Sequence, residues 1–306
     1  IEDDCDGDGS AEPDWGLACK NDYTWWQPVG QMMCSEGQLA CSATVMQGTE
    51  RGYYECPWYD TIYNYDYNDG SDYIYVASDY YFSIVNVSDP DNPYDESWIY
   101  ADYGYDVKVN EDETRAYFVD DYGLTIIDIT DKENPGIIGY YWNYNEGTAV
   151  EIVGNTAYMS DYTGIQVIDI SDEQSPALLN TVTAYGFPKD LVIYGDYAYL
   201  YSVYPGFWWD DNYLEVVDIS VPGNEELLNS IYLDTWGNAH RMRGLDNWLY
   251  LNSTDGENLT FKIEDPTAPD EWDDHNLEGF THNDGLSSDK SYRMYDHWAI
   301  DIATVQ

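Results

Sequence analysis

Apolar and polar positions recur in this chain with a period near forty residues. Each period holds short runs of β-branched and aromatic residues separated by turn residues. The third period shows the plan. Thr148 to Val153 predicts a first strand, closed by a Gly154-Asn155 turn. Thr156 to Ser160 predicts a second strand, Gly164 to Ile170 a third, and Ala177 to Val182 a fourth after a Pro-bearing loop. Turns this short imply an antiparallel meander, and few segments carry the 3.6-residue period, so almost no helix is expected.

The period is anchored by one motif at the third strand. It reads Ser83-Ile84-Val85-Asn86-Val87-Ser88-Asp89-Pro90, then Thr125-Ile126-Ile127-Asp128-Ile129-Thr130-Asp131. It recurs as Gln166-Val167-Ile168-Asp169-Ile170-Ser171-Asp172 and as Glu215-Val216-Val217-Asp218-Ile219-Ser220-Val221-Pro222. A shortened copy is Phe261-Lys262-Ile263-Glu264-Asp265-Pro266, and a last one is Trp298-Ala299-Ile300-Asp301-Ile302. The aligned positions 86, 128, 169 and 218 lie 42, 41 and 49 residues apart. A second marker precedes each copy, as in Ala116-Tyr117-Phe118-Val119 and Ala157-Tyr158-Met159-Ser160.

Equal four-stranded sheets that are apolar on both faces bury both by packing radially on identical neighbours. The expected fold is therefore all-β: a six-bladed β-propeller of four-stranded antiparallel blades. The sixth unit lacks a fourth strand. The strand-like Ala43-Thr44-Val45-Met46 in the N-terminal segment is expected to supply it and remove an exposed edge. Residues 1–57 are read as a Cys-rich acidic segment and 58–306 as the propeller.

These repeats resemble the LVIVD repeat family of bacterial and archaeal extracellular or surface proteins. The resemblance spans roughly residues 60 to 306, and it implies the propeller fold and an extracellular or cell-surface, secreted location. Asn86 stands where the motif has Asp, Val221 replaces the loop Asp, the fifth unit is shortened and the sixth lacks the Pro loop.

Charge narrows the partners. Fifty-nine acidic residues face eleven basic ones, for a formal charge of −48. Phosphate backbones and anionic membranes are repelled, and cations are favoured. No run approaches the ~20 apolar residues of a spanning helix. Cys5, Cys19, Cys34, Cys41 and Cys56 all lie in the N-terminal segment, a pattern read as disulfides from an oxidising compartment. The tight ligand pairs of a zinc site are absent, and the odd count leaves one thiol over, free or paired with another molecule.

Three groups are candidate functional residues. Asp4, Asp6 and Asp8 alternate ahead of Gly9, with Glu12 beyond. This resembles a calcium loop, so calcium is the one cofactor expected, although Trp15 stands where such loops carry a bidentate acid. His240 and His282 begin equivalent first strands 42 residues apart, Lys189 holds the same place in the fourth unit, and Asp106, Asp190 and Arg241 are adjacent. First strands line the channel of a propeller, so these six residues are expected at its mouth, holding a metal or an anionic ligand. Phe207, Trp208 and Trp209 lie in an insertion that lengthens the fourth unit, a candidate contact surface.

No G-x-S-x-G, H-E-x-x-H or phosphate-binding glycine loop is present. The expectation is a non-enzymatic extracellular propeller for surface assembly or adhesion, self-associating as a filament or layer subunit or contacting surface protein or glycan. The alternative is a soluble ligand- or glycan-binding module using the channel mouth.

Overall fold

In a computed structural model the description covers residues 61–271, apart from short segments at 69, 90–92, 102, 207–209, 234–238, 246–247, 254–257 and 264. Outside that span it covers only the strand segments 18–19, 33–34, 284–286, 290–295 and 299–304.

Every regular element described is a strand. β1 (Ala18–Cys19) and β2 (Met33–Cys34) form a parallel pair whose register sets Cys19 against Cys34. Sheet one is β3 (Ile62–Asp66), β4 (Tyr73–Ser78), β5 (Tyr81–Asn86) and β6 (Tyr94–Tyr100). Sheet two is β7 (Asp106–Val109), β8 (Arg115–Asp120), β9 (Gly123–Asp128) and β10 (Gly136–Trp142). Sheet three is β11 (Gly147–Val153), β12 (Thr156–Asp161), β13 (Gly164–Asp169) and β14 (Ala177–Thr183). Sheet four is β15 (Phe187–Tyr194), β16 (Tyr197–Tyr204), β17 (Asp211–Asp218) and β18 (Glu226–Leu233). Sheet five follows as β19 (Ala239–Leu245), β20 (Trp248–Ser253), β21 (Asn258–Lys262) and β22 (Asp270–Glu271). A last sheet holds β23 (Asp284–Leu286), β24 (Lys290–Tyr295) and β25 (Ala299–Thr304).

All pairings within these sheets are antiparallel and join neighbours in sequence. The strands expected in the third unit match those found to within one residue at each end.

The near-continuous apolar runs have a direct cause. Alternate residues of a strand point to opposite faces, and sheets two, three and four each have a neighbour on both. Tyr117 and Val119 pack into one cluster with Val150, Met159 and Ile168 of sheet three. Their immediate neighbours Ala116 and Phe118 pack the other way, against Tyr75, Phe82 and Ile84 of sheet one. The same interleaving joins sheets three and four, and four and five. Polar relief is confined to the outer strands, where β10 and β14 are largely exposed. The first strands β3, β7, β11, β15 and β19 meet in series. This is the radial arrangement of a β-propeller.

The repeat motif explains its own loop. Within the loops, Asp265 accepts the Thr267 N–H as Asp131 and Asp172 accept those of Glu133 and Gln174. Ahead of them, Asn86, Asp128, Asp169 and Asp218 each accept the backbone N–H two residues on, from Ser88, Thr130, Ser171 and Ser220. This Asx turn ends the third strand and opens the loop to the fourth. The hydrogen bonds hold the carboxyls of Asp128, Asp169, Asp218 and Asp265 below the usual range.

Candidate functional site: the aromatic end of the propeller

Strand register fixes what lies at each end of the sheets. The start of each first strand pairs with the end of the second, as Asp106 with Val119 and Phe187 with Val203. The start of the third pairs with the end of the fourth, as Tyr81 with Tyr100 and Gly123 with Trp142. One end of the molecule therefore carries the hairpins between second and third strands and the crossings from one sheet to the next. The opposite end carries the Asx-turn loops.

Exposed aromatic rings gather at the first end. On sheet one Tyr80 stacks on Tyr100, ring centroids 6.4 Å apart, and touches Tyr103 at 5.8 Å. On sheet two Trp142 meets Tyr122 at 5.7 Å and Tyr144 at 6.3 Å. Tyr185 stacks on Tyr204 at 5.4 Å, and Tyr213 joins Tyr185 to Tyr232 on sheet four. Trp142 is 52% exposed and Tyr144 79%, so these rings are not buried between sheets. At the other end of the fourth strands Tyr94 stands out as an exposed ring of comparable size.

Inside this rim, where the first strands begin, an acidic and aromatic arc crosses four sheets. Tyr63 and Tyr105 join sheets one and two, 5.3 Å apart. The Tyr63 hydroxyl bonds to Asp79, and Tyr105 donates to Asp121 at 2.9 Å and also reaches Glu146. Tyr162 donates to Glu146 and meets Phe187 edge-on at 5.9 Å. Lys189 caps the arc, its Nζ 5.7 Å from the Tyr162 ring centre. Burial first, and then these carboxylates, push the phenols of Tyr63 and Tyr105 upward, and that of Tyr162 up to about 12.

Of the residues expected at the channel mouth, Lys189 is brought into this arc. Asp106 and Asp190 lie on the same strands but have another setting. Both are 5% exposed. Asp106 accepts from the backbone of Val107 and Val150 and from the Asn64 amide. Asp190 accepts from Leu191 and, across to sheet five, from Met242 at 2.5 Å. Asp66 likewise accepts from Val109 at 2.7 Å. These carboxylates clip β3 to β7, β7 to β11 and β15 to β19. Beside them Lys108 bonds to Glu151 at 3.2 Å and lies 4.0 Å from Asp66. The carboxylates hold the Lys108 amine above its usual range, while burial pushes the Glu151 carboxyl up.

His240 and Arg241 fall on β19, where the backbone alone is described. Asp4, Asp6, Asp8, Glu12, Cys5, Cys41, Cys56, Phe207, Trp208, Trp209 and His282 lie outside the described residues, as does the strand expected at 43–46. Among the described residues no group of three or more His, Cys, Asp or Glu is placed to hold a metal ion.

Sequence reasoning missed Tyr63, Asp121, Glu146 and Tyr162. The available signal was an acid beside a Tyr at successive hairpins, Asp79-Tyr80, Asp121-Tyr122 and Asp161-Tyr162. Asp161 shows why that signal is ambiguous. It is fully buried, with one oxygen turned to Thr163 and Gly164 and the other to Asn143 and Gln166. It is a structural latch, whereas Asp79, Asp121 and Glu146 are half-buried at the surface.

No curated protein sequence matches the chain. Solved structures match it in fold. A functionally unknown protein from Desulfotomaculum acetoxidans aligns with a TM-score of 0.63 at 11% identity, over 85% of this chain and 88% of that one. The Cps50 (Swd1) β-propeller domain of Myceliophteria thermophila aligns at 0.58 and 10% identity, over 81% and 80%. Hydrazine synthase of Kuenenia stuttgartiensis aligns at 0.56 and 11% identity, over 76% and 73%. Identities this low speak for the fold alone. The LVIVD repeat matches residues 71–102, 103–143, 147–184 and 186–231, which is just over half of the chain and follows sheets one to four. This protein belongs to the LVIVD repeat family.

Proposed function

We propose that this chain is a non-enzymatic extracellular propeller that binds through its aromatic end, in adhesion or in the assembly of a surface layer or filament. The observation that carries this reading is the segregation of exposed rings. Paired Tyr and Trp side chains stand open on sheets one, two and four at one end, outside the Tyr63–Glu146–Tyr162 arc. Exposed aromatics in contiguous groups are the usual anchors of recognition surfaces. The axial charges favour a scaffold role over chemistry, because Asp66, Asp106 and Asp190 hold backbone N–H groups and Lys108 is paired with Glu151.

The ring is six-bladed in this reading, with the three-stranded last sheet completed by residues 43–46. The Cys-rich segment is disulfide-stapled, consistent with the register of Cys19 on Cys34, and its Asp4–Glu12 loop takes calcium. An extracellular location follows from those cysteines.

The test uses the full chain with and without calcium, viewed by electron microscopy and sedimented with cell-envelope preparations. Ordered assemblies or envelope retention are expected from the wild type, and neither from Tyr122→Ala/Trp142→Ala at unchanged melting temperature. Monodisperse, unretained wild-type protein in every condition would overturn the proposal.

A further inference from the structure

The rim pairs carry a second kind of information, in the charge around them. Asp79, Asp121 and Glu146 lie in the arc inside the rim, and each already serves a Tyr hydroxyl as acceptor. The whole chain carries a formal charge of −48, so an anionic partner would meet repulsion at every approach. The few cations of the chain show what this surface chemistry accommodates. Lys189 sits over Tyr162, whose hydroxyl is held by Glu146. Far from it, Lys132 sits over both Tyr73 and Tyr75, at 5.7 Å from each ring centre. Glu113 accepts from the Tyr75 hydroxyl and lies 3.9 Å from Lys132, so a cation above a phenol whose hydroxyl a carboxylate holds is used twice within the fold.

We infer that the aromatic end docks a lysine- or arginine-rich polypeptide segment, whose cationic side chains settle over the rim rings. This rests on the proposed binding role of that end and names the partner's chemistry. Each ring contributes cation–π attraction, and the carboxylates of the arc supply long-range steering. The pairs Tyr80–Tyr100, Tyr122–Trp142 and Tyr185–Tyr204 stand on sheets one, two and four, so an extended cationic segment meets several rings in turn. That repetition suits a polymeric partner better than a single small cation.

The experiment is calorimetric titration of the full chain with a short oligolysine peptide and, separately, with a neutral β-glucan oligosaccharide. Oligolysine should bind the wild type at physiological salt. Tyr122→Ala/Trp142→Ala, which leaves the net charge unchanged, should weaken that binding about fivefold or more, from the two ring contributions. Tyr122→Phe/Trp142→Phe should restore it. Glu111→Gln/Asp112→Asn, exposed at the opposite end, should leave it unaltered. Equal oligolysine affinity for wild type and the Ala variant would reduce the effect to bulk charge and overturn the inference. So would rim-dependent binding of the glucan without the peptide, an outcome that would leave the binding role of the aromatic end standing.

Discussion

The two ends of the same sheets are built on opposite terms. At the loop end the repeat writes the same device each time, an Asp or Asn closing an Asx turn on Ser or Thr two residues on. At the aromatic end the sheets differ. Tyr80 and Tyr100 stack on sheet one, Tyr122 and Trp142 meet at a tilt on sheet two, and sheet four carries a chain of tyrosines. Where a repeat is constant, its residues satisfy one another and define the fold. Where it varies and leaves rings open, it has surface to offer a partner. The ends also titrate oppositely: hydrogen bonds lower the loop carboxyls, while burial and nearby acids raise the phenols of the arc.

The comparison breaks first if structural residues at the aromatic end prove dispensable. Asp161→Ala would strand the buried donors of Gly164, Asn143 and Gln166, and should cost about 3–5 kcal/mol in denaturant unfolding, from several orphaned donors at about 1–3 kcal/mol each. Gly164→Ala should be of similar size. Gly164 has φ +146°, and a Cβ there would meet the Val182 carbonyl oxygen at 1.9 Å. Asp106→Ala should cost about 2–4 kcal/mol by orphaning the Val150 N–H and its companions, while Asp106→Asn keeps one acceptor and should cost less.

A pH series sharpens the contrast. A depressed carboxyl stabilises the fold above its unfolded pKa and loses that contribution as pH falls through the folded value, so the loop end should weaken in acid below pH ~4. A raised phenol stabilises below the unfolded value near 10 and loses it as pH rises, so Tyr162 and its neighbours should lower the melting temperature between pH ~10 and 12. Melting curves across the full range should therefore fall at both extremes. Tyr162→Phe should blunt the alkaline fall and leave the acid limb in place.

The fold was legible because radial packing forces both faces of the inner strands to be largely apolar. Runs such as Ala116 to Val119 and Gly164 to Ile168 announce that directly, and the Asp-bearing loops space them. The arc was less legible. Tyr63 comes from β3 and Asp121, Glu146 and Tyr162 from three separate connections, and only register brings them together. Asp106 and Asp190 were found by position, yet sequence could not reveal that the next strand's N–H already holds each carboxylate. Whether an acid beside a Tyr is latch or surface likewise depends on burial, as Asp161 and Asp121 illustrate.

The smallest expected effect on stability belongs to the rim, and it bears most on the account. Trp142→Ala with Tyr122→Ala removes side chains that are 52% and 41% exposed. The decisive measurement is the paired one, melting temperature and oligolysine affinity of that variant against wild type. The account predicts an almost unchanged melting temperature with clearly weakened binding. A large loss of stability would make the rim part of the packing, and full retention of binding would leave the aromatic end without the role assigned to it.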